Sequence, residues 1–365
     1  MKFSTSKNNI INELGLLQGI VEKRTTMPIL SNVLMKAEKG RVEIMGTDLE
    51  VGLRTYFEAE VKEEGLAAVN GRKLFDFIKL LPEDQDIDFI KKDDHLIVKC
   101  GESEIKIVTA SEDDFPPIQE CNFEKNISFS LNDFKEMIDC VFYAITQEQR
   151  YYLSGALLSI KNNQLELVST DGHRLSYTRR EFEDLKVERE INQIVSKKTL
   201  NELRKFENEK IDFDFDENSL FFRVKNRVLI SRIIESKFPN YQAVIPKDNP
   251  NKLLINKDDL ISAIKRVSIL SAEKSKGIKF DIKQGELRLF SSNPEMGEAR
   301  DKLDIEYQGK ELEIGFNSQY LLDFLATVNC EKVRFEIKDE NSAVLIKPEE
   351  EEKGIYLYIL MPMKI

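Results

Sequence analysis

One internal period of 123 residues constrains this 365-residue chain more than any other feature. Two sets of landmarks recur at that spacing: the turn residues Thr47, Thr170 and Asn293, and three prolines that each follow an apolar residue, Pro116, Pro239 and Pro362. A period of this length is that of a whole domain. The sequence therefore predicts three similar domains in a row, residues 1–124, 125–248 and 249–365.

The same order of predicted elements fills each copy. An amphipathic helix follows a candidate N-cap, Ser6, Asn132 or Asn256. A hairpin comes next, predicted at 29–36 with 41–45, 156–160 with 164–168, and 278–282 with 286–290. A second helix and a second hairpin follow, the latter at 87–90 with 96–99, 211–215 with 220–224, and 333–337 with 343–346. The predicted fold class is α+β, with two helices packed on antiparallel sheets in each domain.

Composition excludes several function classes. The net charge of −11 argues against a simple basic nucleic-acid binder. No apolar run is long enough to span a membrane, and the N-terminus leads into no signal core, so a cytoplasmic protein is expected. The four cysteines form no CxxC pair and the two histidines lie at no metal-ligand spacing from them, so neither a metal nor a cofactor is expected.

The charges nevertheless divide between kinds of element. Basic residues concentrate on predicted helices: Arg72, Lys73 and Lys79; Lys197, Lys198, Arg204 and Lys205; Lys265 and Arg266. Acidic residues concentrate in strands and loops, as at 102–114 and 212–217. A basic helical lining would hold a polyanion by its phosphates without reading bases. Ordinary solvated helix faces would give the same pattern, and spacing alone leaves both interpretations open.

The middle turn, Thr170 to Leu175, invites an enzymatic interpretation. Asp171 and His173 could act as an acid–base pair, with Thr170 or Ser176 as nucleophile. The other two copies lack the histidine, and no oxyanion-hole or phosphate-loop signature accompanies it. The repeat favours a structural turn that is specialised once in three copies to form a docking groove.

Several stretches together carry a family resemblance: TMPIL at 26–30, RYYLSG at 150–155, TDGHRLS at 170–176, FPNYQAVIP at 238–246 and the terminal MPMKI. With the threefold repeat, the whole chain closely resembles the bacterial DNA polymerase III beta subunits, the replicative sliding clamps. The resemblance implies a head-to-tail homodimer that closes a six-domain ring around duplex DNA and has no catalytic activity. It also implies as partners the replicative polymerase, the clamp loader, and other polymerases, mismatch-repair proteins and ligase that carry clamp-binding peptides.

The resemblance implies three groups of site residues. A hydrophobic partner-peptide pocket between the second and third domains would use Leu153, Thr170, Gly172, His173, Arg174, Leu175, Pro239, Val244, Ile359, Leu360, Met361, Pro362 and Met363. Its apolar, methionine-containing lining suits an adaptable peptide groove, with Arg174 as a charged rim; Ala243 stands where some relatives carry arginine. DNA would meet Arg24, Arg72, Lys73, Gln147, Tyr151, Tyr152, Lys197 and Lys198. The dimer interface would include Ile105, Ile269 and Leu270.

One further alternative comes from the repeat itself. Three similar domains could form a scaffold that binds proteins without encircling DNA.

Overall fold

The computed structural model of the chain describes residues 1–22, 26–124, 127–146, 153–183, 185, 187, 190–272, 275–350 and 353–364. Contacts divide the chain into two compact units. The first unit comprises residues 1–132 and 198–233, and the second comprises 133–197 and 234–365. The second sequence repeat is therefore divided between the units, with residues 125–132 and 198–233 in the first and 133–197 and 234–248 in the second.

Six α-helices lie in the described part of the chain: α1 Lys7–Leu17, α2 Gly71–Leu80, α3 Leu131–Phe142, α4 Lys197–Leu203, α5 Lys257–Ser268 and α6 Ser318–Leu325. The sequence explains where the helices of the third repeat begin, because Asn256 and Asn317 each accept hydrogen bonds from two backbone amides of the first turn. Asn70 caps α2 in the same way through the amide of Lys73.

Strands β1 to β25 are, in chain order, Lys2–Ser6, Asn32–Glu38, Arg41–Thr47, Val51–Glu58, Glu60–Glu63, Gly65–Asn70, Asp86–Lys92, His95–Cys100, Ser103–Ala110, Ile127–Ser130, Gly155–Lys161, Gln164–Thr170, Arg174–Glu181, Ile191–Ser196, Lys210–Phe215, Ser219–Val224, Arg227–Arg232, Asn251–Asn256, Gly277–Lys283, Glu286–Asn293, Gly297–Asp304, Leu312–Asn317, Lys332–Ile337, Val344–Pro348 and Ile355–Leu360. The first unit holds one sheet, in the order β10-β15-β16-β17-β4-β3-β2-β6-β9-β8-β7-β1-β5. The second unit holds two sheets, β14-β11-β12-β13-β25-β24-β23-β18 and β21-β20-β19-β22. All the strand pairs with a register are antiparallel, as predicted.

The two units join successive repeats by the same kind of strand pairing. In the first unit, β17 of the second repeat pairs with β4 of the first, with Ser231 opposite Val51. In the second unit, β25 of the third repeat pairs with β13 of the second, with Leu360 opposite Arg174. Each pairing extends a sheet across a repeat boundary. Strand pairing at the junctions therefore satisfies edges that would otherwise be open.

Hydrophobic periodicity predicts the buried faces correctly. Ile10, Leu14 and Leu17 are fully buried on α1, as are Phe134, Met137 and Ile138 on α3. In the third repeat, Leu260 and Ile264 of α5 belong to one core with Phe280, Phe316 and Phe335 of the strands. Phenylalanine thus fills much of the core of a chain that has no tryptophan.

Some predicted boundaries are wrong. Pro28 to Ser31 form a short 3-10 helix, so the strand predicted from residue 29 begins at Asn32. A proline at the first helical position favours such a turn over a strand. Asn132 lies inside α3, which begins at Leu131.

None of the helices in the described ranges is both long and apolar enough to cross a membrane.

Candidate functional site

The middle turn is fixed by its own side chains. The Thr170 hydroxyl donates to the carbonyl of Arg174 at 2.6 Å, and the amide of Gly172 donates to that hydroxyl at 3.1 Å. One oxygen of Asp171 accepts the amides of His173 and Arg174, each at 3.0 Å. Gly172 has φ of 91°, a left-handed value that glycine adopts at little cost. Asp171 is therefore a turn-forming residue with its carboxylate already engaged.

Arg174 is buried, not a charged rim as predicted. Its side chain is 9% exposed and pairs with Asp171 at 2.9 Å and with Asp323 at 2.7 Å. The guanidinium also donates to the carbonyl of Tyr143 and lies 4.1 Å from the ring centre of Tyr320. Burial alone would lower the pKa of Arg174, but Tyr358, Asp323 and Asp171 outweigh it and raise that pKa. The guanidinium is buried because it ties β13 to helix α6 inside the second unit.

The chain end returns to this turn. Leu175 lies opposite Ile359 in the β13–β25 register, and both are buried in one apolar cluster. One residue beyond β25, the amide of Met361 donates to the carbonyl of His173 at 3.0 Å. The amide of Met363 donates to the carbonyl of Gly315 at 2.9 Å. The structure therefore brings the predicted TDGHRLS and MPMKI stretches together, as expected for a common site.

A third wall comes from the segment after β17. Tyr241 packs against the cluster that holds Leu175 and Ile359, and its hydroxyl donates to Glu166 at 2.9 Å. Burial and that carboxylate raise the pKa of Tyr241 to about 12, so the hydroxyl stays a donor at neutral pH. Pro239 and Val244 flank this anchor and are exposed.

The predicted pocket residues differ in their exposure to solvent. Gly172, His173, Pro239, Val244 and Met361 are exposed; Pro362 and Met363 are half-buried; Leu153, Thr170, Arg174, Leu175, Ile359 and Leu360 are buried. Val244 and Met361 leave 51% and 48% of their surface open. The arrangement offers an apolar surface with fixed backbone, suited to a peptide and holding no aligned acid–base pair.

The predicted DNA contacts fall into three groups. Arg72 and Lys73 are exposed in the first turn of α2. Lys197 donates to the carbonyl of Ile145 at 3.0 Å, and burial followed by the charge of Arg174 lowers its pKa. Lys198 forms an ion pair with Asp48 and donates to the carbonyl of Ile20 at 3.1 Å. Arg24, Gln147, Tyr151 and Tyr152 lie outside the described residues.

The predicted interface residues lie near open strand edges. Ile105 is half-buried on β9, whose pairing with β6 covers only Thr109 and Ala110. Ile269 is 76% exposed just after α5, with Leu270 half-buried beside it. Sequence reasoning missed Leu80 at the end of α2 and Val108 on β9, which are 85% and 65% exposed. Val108 lies on the part of β9 that pairs only with β8, and an exposed apolar residue at such an unpaired edge is the signal that identifies it.

Within the described residues, no group of three or more histidine, cysteine, aspartate or glutamate side chains could hold a metal ion. The four cysteines are free thiols.

Comparison with known proteins gives one consistent result. Three family models match in order: the DNA polymerase III beta subunit N-terminal domain at 1–119, its central domain at 128–240 and its C-terminal domain at 242–364. The beta sliding clamp of Pseudomonas aeruginosa is 34% identical over 371 residues, covering 100% of both chains. A crystal structure of the DNA polymerase III beta subunit from that organism superimposes with a TM-score of 0.95 at 33% identity, again over all of both chains. A structure of the same organism's sliding clamp bound to griselimycin gives a TM-score of 0.94.

Three clamp domains of α+β fold, with a non-catalytic groove where a histidine motif first suggested an enzyme, define the class of replication processivity clamps. The chain belongs to the bacterial DNA polymerase III beta subunit family, the beta sliding clamps. Its function is to tether the polymerase to DNA as a homodimer. The enzymatic interpretation of Asp171 and His173 is therefore wrong, and the scaffold alternative is not favoured.

Proposed function

We propose that two copies of the chain close a ring around duplex DNA without sequence specificity and slide along it. The observation that carries the proposal is an open strand edge in each of the two outer repeats. Residues 103–108 of β9 pair on one side only, with β8, and β21 pairs only with β20 among the described strands. An open edge is a ready template for pairing with another chain. Head-to-tail pairing of β9 with the partner's β21 would close a symmetric dimer.

Apolar side chains beside these edges support the same interface. Leu80 and Val108 are exposed in the first repeat, where α2 contacts β9. Ile269 is exposed in the third repeat, where α5 packs on β21 and Arg266 pairs with Asp301 of that strand at 2.6 Å. Burying these side chains between two chains would add apolar area to the backbone hydrogen bonds. We assign Ile105, Ile269 and Leu270 to the interface, together with Leu80 and Val108.

The DNA contact in this proposal is electrostatic. Arg72 and Lys73 are exposed at a helix start, where nothing in the described ion pairs neutralises them. Lys197 contributes a charge that its hydrogen bond holds in place, whereas the charge of Lys198 is compensated by Asp48. Arg24, Gln147, Tyr151 and Tyr152 complete the proposed set. Contacts to phosphates without base readout suit a protein that must move along any sequence.

The groove of the second unit is the proposed docking site for partner peptides. Its support is the fixed turn at Thr170, the tail at Met361 and the segment from Pro239 to Val244. Through it the protein would take the replicative polymerase, the clamp loader, other polymerases, mismatch-repair proteins and ligase in turn. We propose that these events take place in the bacterial cytoplasm. We also propose that the boundaries between the three domains lie near residues 124 and 248.

Topology gives the decisive experiment. The protein is loaded on nicked circular DNA by a cognate clamp loader, freed of loader by gel filtration, and the DNA is then cut once. We expect the protein to stay on the circle and to be released by linearisation, because a ring can leave only over an end. A control linear DNA with both ends blocked by bound protein should retain it. Equal retention on circular and open linear DNA would contradict encirclement.

A further inference from the structure

The first unit contains a second groove built like the proposed peptide groove. It encloses a cavity of about 280 Å³ whose lining includes Thr47, Leu49, Gly52, Pro116, Ile230 and Arg232. Nothing in the assigned function uses it.

The turn that forms one wall is the same in both grooves. The Thr47 hydroxyl donates to the carbonyl of Val51 at 3.1 Å, as Thr170 does to Arg174. One oxygen of Asp48 accepts the amides two and three residues on, at 3.0 and 2.7 Å, as Asp171 does. The repeat has therefore placed the same rigid turn beside both cavities.

The wall formed by paired strands is also equivalent in the two grooves. Residue 231 pairs with residue 51 as residue 360 pairs with residue 174. One position further, the amide of Arg232 donates to the carbonyl of Glu50 at 2.8 Å, and the amide of Met361 donates to that of His173 at 3.0 Å. Arg232 therefore occupies in the first unit the position that Met361 occupies in the second.

The remaining wall is anchored in an equivalent way. Ile118, two residues after Pro116, packs with Ile230 in a small apolar cluster, as Tyr241 after Pro239 packs with Ile359. The Gln119 side chain is held in place because its amide oxygen Oε1 accepts a hydrogen bond from the Ser219 hydroxyl at 2.8 Å. Walls fixed by hydrogen bonds and packing are preformed, which lowers the entropy that binding must overcome.

Two residues of this groove differ from their equivalents in the second unit and change what the groove can bind. Leu49 stands where the second unit has Gly172; it has φ of 75° and is 49% exposed. A leucine in the left-handed region is strained, and its exposure shows that packing does not compensate. Arg232 is exposed, and none of the ion pairs between residues that the structure describes involves it. The groove thus presents an apolar side chain next to an exposed positive charge.

A neighbouring cavity of about 270 Å³ continues the positive charge. It shares Gln119 with the groove and is lined in part by Arg41 and Lys225. Both are exposed and enter no ion pair with another described residue. Arg54 and Arg223, also in its wall, are paired with Glu43 and Asp212. The net excess therefore lies at Arg41 and Lys225.

We propose that this groove is a second docking site, for an extended peptide segment of a partner protein that carries an apolar side chain followed by carboxylates. The apolar side chain lies on Leu49 and Ile230, the first carboxylate pairs with Arg232, and later carboxylates approach Lys225 and Arg41. The inference rests on the proposed function, because peptide binding at the equivalent groove of the second unit is itself proposed. Glu50 also lines the groove and its carboxylate opposes an acidic segment there, so the preference for carboxylates rests on Arg232, Lys225 and Arg41.

The test uses the full chain and two fluorescein-labelled peptides, Ser-Leu-Leu-Asp-Asp-Glu and Ser-Leu-Leu-Lys-Lys-Lys, followed by fluorescence polarisation. We expect the acidic peptide to bind and Arg232→Glu to weaken it by about tenfold or more, as for loss and reversal of a close charge. Lys92→Glu, the same charge change at an exposed position of β7, which β2, β6, β9 and β8 separate from β3 in the sheet, should leave affinity unchanged. Binding by Arg232→Glu within about twofold of the parent, no binding of the acidic peptide, or equal binding of both peptides would overturn the proposal.

Leu49→Gly is a second variant, and it relieves the strain of the turn. A loss of binding in this variant therefore cannot be attributed to misfolding of the turn. It installs the residue that the equivalent turn already has, so thermal stability should not fall, while affinity for the acidic peptide should drop several-fold. Unchanged affinity would count against the apolar subsite.

Deletion of residues 361–365 separates the two sites. The second groove predicts that the acidic peptide still binds this variant, whereas polymerase binding, which belongs to the proposed function, is lost. If the deletion abolishes acidic-peptide binding while Arg232→Glu does not, the peptide uses the groove of the second unit. That result refutes the second site and leaves the proposed function intact.

Discussion

Arg174 and Arg180 form a natural comparison at the scale of single residues. Each guanidinium pairs with two carboxylates in the second unit. The partners of Arg174 are 14% and 23% exposed, whereas Asp133 and Glu136, the partners of Arg180, are 41% and 47% exposed. Removing the arginine would therefore leave unpaired carboxylates shielded from water at Arg174 but not at Arg180.

We therefore expect Arg174→Ala to cost about 3–5 kcal/mol of unfolding free energy, because it leaves two carboxylates poorly solvated and unpaired. Arg180→Ala should cost about 1 kcal/mol or less, because its partners remain hydrated. Urea unfolding followed by circular dichroism measures both; a chain without tryptophan offers no indole signal. Similar losses in the two variants would mean that Arg174 does not hold the second unit together.

The sequence could predict that Arg174 belongs to the groove region but not that it is buried there. Its two partners lie 3 and 149 residues away, and Asp323 carries no motif that points to it. By contrast, the roles of Thr170 and Gly172 could be predicted, because turn chemistry is local and the repeat shows it more than once. Residue roles that depend on long-range packing are the ones a single sequence conceals.

At the scale of secondary-structure elements, the open strand edges determine where another chain can pair. β21 carries four charged residues on its exposed face, Glu298, Arg300, Lys302 and Asp304, and the exposed Ile269 follows the end of α5, which packs on this strand. We expect Ile269→Asp to convert the dimer to monomers at submicromolar concentration, because a carboxylate would have to be buried without a partner. Analytical ultracentrifugation measures the state.

Gln284→Asp is the control for that experiment. It adds the same charge in the same repeat, at the exposed β19–β20 turn, and should leave the dimer unchanged. A dimer that survives Ile269→Asp at full strength would show that the interface lies elsewhere on the chain.

Element positions were the most predictable part of the fold. The two hairpins of each repeat lie within a few residues of their predicted ranges, because alternating burial and turn residues are local signals. The errors lie where tertiary contacts decide: β1 and β5 pair with each other near the N-terminus, and Lys2–Ser6 showed no strand pattern of its own. The pairing of β17 with β4, between residues more than 170 apart, likewise leaves no trace in the sequence of either strand.

The net charge of −11 becomes meaningful at the scale of the whole molecule. A protein held on DNA by phosphate contacts alone loses affinity steeply with salt, by about 10³ to 10⁵ between 50 and 200 mM for six to ten contacts. An encircling protein is held by its topology, so its residence on a circle depends on ring opening. An acidic protein can then stay on DNA without binding it tightly.

We accordingly expect the lifetime of the loaded protein on nicked circular DNA to change by less than about threefold between 50 and 200 mM salt, against the losses that phosphate contacts alone would produce. Arg72→Glu with Lys73→Glu should slow loading, because it removes exposed positive charge, but should leave the lifetime on the circle nearly unchanged. Washing immobilised circles in stepped salt and counting labelled protein measures both quantities. A lifetime that falls in proportion to salt, or that collapses in the double variant, would mean that charge and not closure keeps the protein on DNA. The same molecule would then owe its hold to the cations that its helices present, a role for which an excess of eleven negative charges is poorly suited.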